Sequence, residues 1–167
     1  MSSALTYLEG QQVIHNDIKP GNIAYSPHRG AVLLDFGLAN STADKVSTGG
    51  TPWYVPLEFI AKGTRGAPGD VWALGVTMLY VLGKIQLPER SRGWLIRDVL
   101  KQEEEARQIM LAWLSIVTST RETLNRADLV EGLVYWMLEY NSMKRLRAGQ
   151  IYDAFEGAAS SRAQLTG

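Results

Sequence analysis

Three polar side chains lie close together near the N-terminus of the sequence. Asp17, Lys19 and Asn22 fall within the segment His15-Asn16-Asp17-Ile18-Lys19-Pro20-Gly21-Asn22. A carboxylate can accept a proton, an ammonium group can neutralise negative charge, and a carboxamide oxygen can bind a hard cation. A carboxylate, an amine and a carboxamide within six residues can combine a proton acceptor with an oxygen ligand for a cation.

A second acidic motif, Asp35-Phe36-Gly37, follows a short apolar segment. Residues 23–25 and 31–34 are typical of strands, and the turn residues between them predict a β-hairpin. We expect the hairpin to bring Asp35 beside Asn22, with Asp17 close by. Two oxygen ligands suit Mg²⁺, which takes its remaining ligands from phosphate and water. A nearby free carboxylate that accepts a hydroxyl proton then fits phosphoryl transfer.

The order of these residues is more specific than any one of them. An isolated Asp-Phe-Gly is usually only the end of a strand and a turn. Each match occurs by chance about one time in twenty on average composition, so seven in order are not accidental. The seven are His15, Asp17, Lys19, Asn22, Asp35, Phe36 and Gly37. On this set the sequence resembles the eukaryotic protein kinases.

The resemblance extends over nearly the whole chain, from about Leu5 to Phe155. Residues 50–58 resemble the segment that closes the activation loop, and residues 70–75 resemble the start of the central helix of the large lobe. Residues 141–145 resemble a late loop that supplies an arginine. The resemblance implies a mainly α fold with a small β-hairpin, which is the C-terminal lobe of a protein kinase.

The resemblance also implies a role for each matching residue at the site. Asp17 is expected to be the catalytic base, and Lys19 to neutralise the transferring phosphoryl group. Asn22 and Asp35 are expected to hold Mg²⁺ and, with Lys19, to bind ATP. Thr51 is expected to hydrogen-bond within the Asp17–Lys19 pair. Because Thr51 and Lys19 both resemble serine/threonine kinases, the implied partner is a protein with a Ser or Thr acceptor.

Six further matches are implied to be structural, namely His15, Phe36, Gly37, Glu58, Asp70 and Arg145. Glu58 is expected to form a buried ion pair with Arg145, whose breakage costs about 3–5 kcal/mol. Asp70 is expected to accept backbone N–H groups near His15 and also to cap its own helix. A simple N-cap is the alternative for this aspartate.

Several helices and one more strand must position these residues. Apolar periodicity and capping residues predict helices at residues 4–8, 71–82, 94–118, 127–140 and 148–155, and a short strand at Val13–Ile14. Trp72, Trp113 and Trp136 are expected to lie in the core. We expect the lobe to span residues 1–157 and a flexible tail to span residues 158–167.

Two positions depart from the kinase pattern. Asn16 stands where many kinases have an arginine, and asparagine cannot form a charge-assisted pair with a phosphate group. The loop hydroxyls Ser41, Thr42, Ser47 and Thr48 are therefore interpreted as ordinary. Pro56-Leu57-Glu58 replaces the usual Ala-Pro-Glu but keeps the glutamate.

The residues before His15 contain no glycine-rich loop and no strand lysine for the ATP phosphates. We therefore expect the N-terminal lobe to be absent and the isolated chain to be inactive or very weak, with weak binding of ATP and Mg²⁺. A partner is expected to cover the exposed surface that faces an N-terminal lobe, around Leu33–Leu34 and Leu8. The alternative function is a kinase-like scaffold or decoy without catalysis.

The composition of the 167-residue chain, with 46% hydrophobic residues, is that of a globular protein. Lys plus Arg and Asp plus Glu each number 17, so the zero net charge gives no signal for nucleic acid or an anionic membrane. The lack of cysteine excludes disulfides and a thiol nucleophile. Neither a signal peptide nor a spanning apolar segment is evident. We expect a cytoplasmic or nuclear protein with no nucleic-acid or membrane partner.

Overall fold

A computed structural model describes residues 1–42, 49–62 and 66–165 of the chain. Its strands are β1 (Val13–Ile14), β2 (Ile23–Ser26), β3 (Gly30–Leu33) and β4 (Asn40–Ser41). Its helices are α1 (Ser2–Gly10), α2 (Leu57–Lys62), α3 (Ala67–Val81), α4 (Ile96–Leu100), α5 (Glu104–Glu122), α6 (Leu129–Met137) and α7 (Ala148–Leu165). Short 3₁₀ helices occur at Pro20–Asn22, Pro52–Tyr54 and Pro88–Arg90. The predicted fold class, mainly helical with a small hairpin, is confirmed.

The predicted hairpin forms from β2 and β3, which pair in antiparallel fashion with Ile23 opposite Leu33. Its turn ends at Gly30, whose φ of 69° lies in the left-handed region that glycine adopts without a steric penalty. The predicted strand β1 also forms, and its partner is β4, which the sequence did not predict. The β1–β4 pair lies directly beside the segment that begins at His15.

The central helix α3 is buried as predicted, with Trp72 and Leu79 almost inaccessible to solvent. It begins at Ala67 instead of residue 71, because Pro68 provides a favourable first-turn residue. Gly66 occupies the N-cap position, so the prediction that Asp70 caps the helix is wrong. Its carboxylate instead lies within the first turn, where it is available to the loop above.

The predicted helix at residues 94–118 is two helices, α4 and α5. The chain turns between them at Gln102, whose φ of 64° cannot continue a right-handed helix. Leu95 precedes α4 and is exposed, so it does not share the buried face that the periodicity predicted. Helix α6 begins after residue 127 because Asp128 caps it by accepting hydrogen bonds from Val130 N and Glu131 N.

The core lies between α3 and the helices around it. Helix α1 packs against α7, and α3 packs against α6. Gly75 permits the close approach of α6, since a Cβ there would lie 2.9 Å from a Leu138 methyl group. No helix among the described residues is long and apolar enough to cross a membrane.

Two predictions about the C-terminal half need correction. Trp72 and Trp113 are buried as predicted, but Trp136 is 45% exposed, with its ring edge against Tyr135. Helix α7 continues to Leu165 instead of ending at Phe155, through a stretch rich in the good helix former alanine. The flexibility expected for residues 158–167 stays a prediction.

Candidate active site

The loop that begins at His15 is anchored on the central helix. The two carboxylate oxygens of Asp70 accept hydrogen bonds from His15 N at 2.7 Å and from Asn16 N at 3.0 Å. Asp70 is buried, so these charge-assisted bonds are strong. The prediction that Asp70 binds backbone N–H groups near His15 is confirmed.

The imidazole of His15 is completely buried and connects the loop to the hairpin. Its Nδ1 atom lies 3.3 Å from the donor Asp17 N, so Nδ1 is the acceptor. The ring hydrogen is therefore on Nε2, which donates to the Leu34 carbonyl oxygen at 3.0 Å. The Phe36 ring meets the histidine edge to face, with centroids 4.9 Å apart.

The carboxylate of Asp17 bonds to three other predicted site residues. Its Oδ1 accepts from Thr51 Oγ1 at 2.7 Å and from Thr51 N at 3.0 Å. Its Oδ2 lies 2.8 Å from Lys19 Nζ and 2.9 Å from Asn22 Nδ2. Lys19 Nζ also donates to Thr51 Oγ1 at 2.8 Å. The structure thus brings Asp17, Lys19, Asn22 and Thr51 together.

The environment of Asp17 favours its ionised form. Burial raises the pKa of this carboxyl, but the hydrogen bonds from Lys19, Thr51 and Asn22 and the charge of Lys19 together outweigh burial. The net result is a pKa below the ordinary value of 3.8. At neutral pH the group is therefore a carboxylate that can accept a hydrogen bond from a substrate hydroxyl.

Asn22 and Asp35 are the residues that could hold a metal ion. Asn22 directs Nδ2 at the Asp17 carboxylate and, at 2.8 Å, at the Asp17 carbonyl oxygen, so its own Oδ1 faces another way. Leu34 N donates to Asn22 O at 2.8 Å, which places both candidate ligands at the same end of the hairpin. A carboxamide oxygen and a carboxylate are the donor types that Mg²⁺ prefers, so the residues fit this ion.

Asp35 is held less firmly than Asn22. It is exposed and has a φ of 56°, which aspartate tolerates better than most residues. Its Oδ1 accepts a local hydrogen bond from Gly37 N at 3.1 Å. Within the described residues no group of three or more His, Cys, Asp or Glu side chains could hold a metal. Any Mg²⁺ site here would therefore depend on phosphate and water as further ligands.

Fewer apolar residues are exposed beside Asp35 than the sequence predicted. Leu34 and Phe36 are exposed, and Phe36 is 50% accessible. Leu33 and Leu8 are buried, because β3 turns Leu33 inward and α1 packs Leu8 into the core. Of the leucines predicted for this surface, only Leu34 is exposed, and together with Phe36 it flanks Asp35.

The predicted pair of Glu58 and Arg145 forms, with two bonds of 2.5 Å and 3.0 Å between the guanidinium and the carboxylate. The Arg145 side chain is fully buried, and it also donates to the carbonyl oxygens of Pro68 and Glu139 at 2.8 Å. The pair joins α2, the start of α3 and the loop before α7. It thereby supports the segment that carries Thr51.

Sequence reasoning missed two other supports of this segment. Trp113 Nε1 donates to the Trp53 carbonyl oxygen at 2.8 Å, and Tyr54 Oη donates to Glu89 Oε2 at 2.9 Å. Burial and the nearby Glu89 carboxylate raise the pKa of Tyr54, so its hydroxyl remains a donor. Both partners lie far away in the sequence, and no local pattern indicates them.

The hydroxyls interpreted as ordinary fall into two groups. Ser41 and Thr42 are exposed at the end of β4. Ser47 and Thr48 lie outside the described residues.

Asn16, which departs from the kinase pattern, has a φ of 67°, and its Nδ2 donates to the Leu38 carbonyl oxygen at 3.0 Å.

Comparison with known proteins places this geometry in a family. A family model described as a protein kinase domain matches residues 1–154. The chain is 34% identical over 158 residues to the serine/threonine-protein kinase DCLK2 of Rattus norvegicus, covering 90% of this chain and 19% of the relative. It is 36% identical over 91 residues to the serine/threonine-protein kinase ppk34 of Schizosaccharomyces pombe, covering 51% of this chain and 25% of the relative. The chain thus spans about a fifth to a quarter of the length of these curated relatives.

Proposed function

The chain belongs to the protein kinase family, and we propose that it is the catalytic lobe of a serine/threonine protein kinase. In this proposal it transfers the γ-phosphoryl group of ATP to a protein Ser or Thr when an ATP-binding lobe is joined to it. The observation that carries the proposal is the arrangement of Lys19, Asn22 and Thr51 around the Asp17 carboxylate. This arrangement combines a proton acceptor, a cation and an oxygen ligand within one small site.

Each of these residues has a separate task. Asp17 orients the substrate hydroxyl and accepts its proton, while Thr51 and Asn22 fix the carboxylate so that it cannot rotate away. Lys19 lies between Asp17 and Thr51 and supplies positive charge where the phosphoryl group passes. Asn22 and Asp35 would hold Mg²⁺, which would supply neutralisation of the negative charge on the ATP phosphates.

The low pKa of Asp17 is compatible with this task. A carboxylate of low basicity takes little of the hydroxyl proton at the start of the reaction. In phosphoryl transfer the transition state is loose, and positioning and charge stabilisation supply most of the rate. Asp17 therefore needs to orient the hydroxyl first and to accept the proton as the new bond forms.

For the 167 residues alone, we propose weak ATP binding and little or no transfer. A functional pocket buries about 70–90% of its ligand, whereas Leu34, Asp35 and Phe36 are exposed. Poor positioning of the nucleotide forfeits part of the roughly 7–11 kcal/mol that orientation can supply. A partner that covers the exposed residues flanking Asp35 would complete the site.

The test compares the isolated chain with the same chain fused to the ATP-binding lobe of a related serine/threonine kinase. Transfer of labelled phosphate to a generic basic protein is measured for both. We expect the fusion to approach the kinase range of about 1–100 s⁻¹ and the isolated chain to fall far below it. Asp17→Asn should abolish transfer by the fusion.

The same experiment separates the enzyme from the alternative function. A fusion that folds and binds ATP with Mg²⁺, but transfers no more phosphate than its Asp17→Asn variant, would favour a scaffold or decoy. Asp153→Asn serves as a matched control, because Asp153 is exposed on α7, away from the site residues. It should leave transfer unchanged.

A further inference from the structure

The short β1–β4 sheet has a regular hydrogen-bond ladder, and extending its register by two residues reaches Asn16. Val13 lies opposite Ser41, and Ile14 lies opposite Asn40. Thr42 N donates to the Gln12 carbonyl oxygen at 2.9 Å. Hydrogen-bonded pairs alternate along an antiparallel ladder, so the bonded positions recur every second residue. The next bonded pairs are then Ile14 with Asn40, and Asn16 with Leu38.

The backbone of Asn16 cannot complete that last pair. Its N–H group donates to Asp70 Oδ1 at 3.0 Å, and its φ of 67° takes the chain out of the strand conformation. The Leu38 carbonyl oxygen nevertheless receives a hydrogen bond, because Asn16 Nδ2 lies 3.0 Å from it. The side chain thus donates to the acceptor that the register assigns to the backbone N–H group.

The residue type fits both demands of this position. Glycine, asparagine and aspartate are the residues that adopt the left-handed conformation most readily. Of these, only asparagine carries a neutral donor on a short side chain, since glycine has no side chain and aspartate has only acceptors at neutral pH. Position 16 therefore allows a backbone bond to Asp70 and a side-chain bond to Leu38 at the same time.

We propose that Asn16 is a positioning residue whose side chain supplies the last hydrogen bond of the β1–β4 ladder, to the Leu38 carbonyl oxygen. This bond holds the segment after Asp35-Phe36-Gly37 against the loop of residues 15–22. Leu38 directly follows Gly37, so this bond restrains the exposed metal-ligand segment from its C-terminal side. The effect on Asp35 as a metal ligand rests on the proposed function, whereas the ladder bond itself does not.

The experiment follows amide hydrogen exchange by NMR in the dephosphorylated 167-residue chain. The Thr42 amide reports on the β1–β4 sheet, and the amide of Leu79 in α3 reports on global unfolding. Two-stranded sheets are marginal by themselves, so loss of one bond should loosen the pair. We expect Asn16→Gly to speed exchange at Thr42 by about fivefold and to leave Leu79 much less affected.

Two further variants separate the bond from other effects. Asn16→Asp keeps the shape and the left-handed preference but places an acceptor against the Leu38 carbonyl, so it should speed Thr42 exchange at least as much. Gln102→Gly controls for placing glycine at a left-handed position, since Gln102 has a φ of 64° outside this sheet. It should leave Thr42 exchange unchanged.

The native chain provides a measurement that does not depend on any variant folding. We expect the Asn16 side-chain amide hydrogens to exchange more slowly than those of the exposed Asn125. The proposal is overturned if the two side chains exchange alike. It is also overturned if Asn16→Gly leaves Thr42 unchanged or accelerates Thr42 and Leu79 by the same factor. Because none of these measurements involves catalysis, the ladder bond and the kinase activity can fail separately.

Discussion

The two parts of the candidate site differ in how firmly the rest of the molecule holds them. Asp17 and Asn22, in the loop of residues 15–22, are buried, and their polar atoms bond to each other and to neighbouring residues. Asp35 and Phe36 are exposed, and the hydrogen bond from Gly37 to Asp35 is local. The surrounding structure therefore holds the Asp17 carboxylate firmly and the Asp35 carboxylate loosely.

This difference follows from where the supporting atoms come from. Asp70 on the buried helix α3 fixes the backbone of the loop of residues 15–22, and Thr51 fixes the carboxylate of Asp17. The His15 ring contacts Phe36, the neighbour of Asp35, but the side chains of Asp35 and Phe36 are exposed to solvent. We therefore expect that substitutions of the residues that anchor the loop of residues 15–22 reduce stability. Substitutions in the exposed segment at Asp35 should affect mainly ligand binding.

The largest effect is expected for Asp70→Ala. This change leaves the buried N–H group of His15 and the partly buried N–H group of Asn16 without their charged acceptor, at a cost of about 1–3 kcal/mol each. We expect the free energy of unfolding to fall by roughly 3 kcal/mol in total, measured by chemical denaturation. Asp153→Ala, at an exposed position of α7, is the control. A loss below about 1 kcal/mol would show that the loop does not depend on Asp70.

A somewhat smaller loss is expected for His15→Ala, because His15 connects the two parts of the site. The change removes hydrogen bonds to Asp17 N and Leu34 O and leaves a cavity under Phe36. We expect a destabilisation of about 2 kcal/mol. The second histidine, His28, is exposed in the hairpin turn, and His28→Ala should change stability by less than about 0.5 kcal/mol. Equal effects of the two substitutions would contradict the account.

The pH dependence of stability should reveal the interactions of Asp17. Its pKa in the folded chain is lower than the ordinary value of 3.8, so its ionisation stabilises the fold above that value. This contribution is lost as the pH falls through the folded pKa. We expect wild type to lose more stability than Asp17→Asn between about pH 5 and pH 2, by denaturation at each pH. Parallel pH profiles for the two proteins would be inconsistent with the bonds described.

The smallest effect on stability is expected for Asp35→Asn. Asparagine tolerates the left-handed backbone of this position, and the side chain is exposed. The free energy of unfolding should change by less than about 0.5 kcal/mol. Phosphate transfer by the fused protein should nevertheless be lost, since a carboxylate ligand for Mg²⁺ is removed. A substantial loss of stability would mean that Asp35 is held as firmly as Asp17.

The sequence predicted the parts of the site that short motifs encode. The hairpin was predicted from residue types and spacing, the contact of Asp70 with the His15 backbone and the Glu58–Arg145 pair were implied by the family resemblance, and all three are confirmed. The resemblance to a known family, rather than local periodicity, supplied the two long-range contacts. Local patterns alone would have given only the strands and helices.

The features that were not predicted depend on tertiary contacts. Strand β4 is polar and becomes a strand only because β1 offers a partner. The break between α4 and α5 depends on the left-handed turn at Gln102, a residue that gives no local signal for it. Trp136 is 45% exposed on α6, although the apolar periodicity of this helix predicted a buried position. A single sequence gives little information about such pairings.

In the proposed site, Asn22 from the firmly held loop and Asp35 from the exposed segment form one cation site. The direct measurement is NMR of the isotope-labelled chain titrated with ATP and Mn²⁺, a paramagnetic ion that takes the same oxygen ligands as Mg²⁺. We predict that the amide signals of Asn22 and Asp35 broaden together, that excess Mg²⁺ reverses the broadening, and that Asp35→Asn abolishes it. Broadening that is absent at both residues, or that persists unchanged in Asp35→Asn, would contradict the claim.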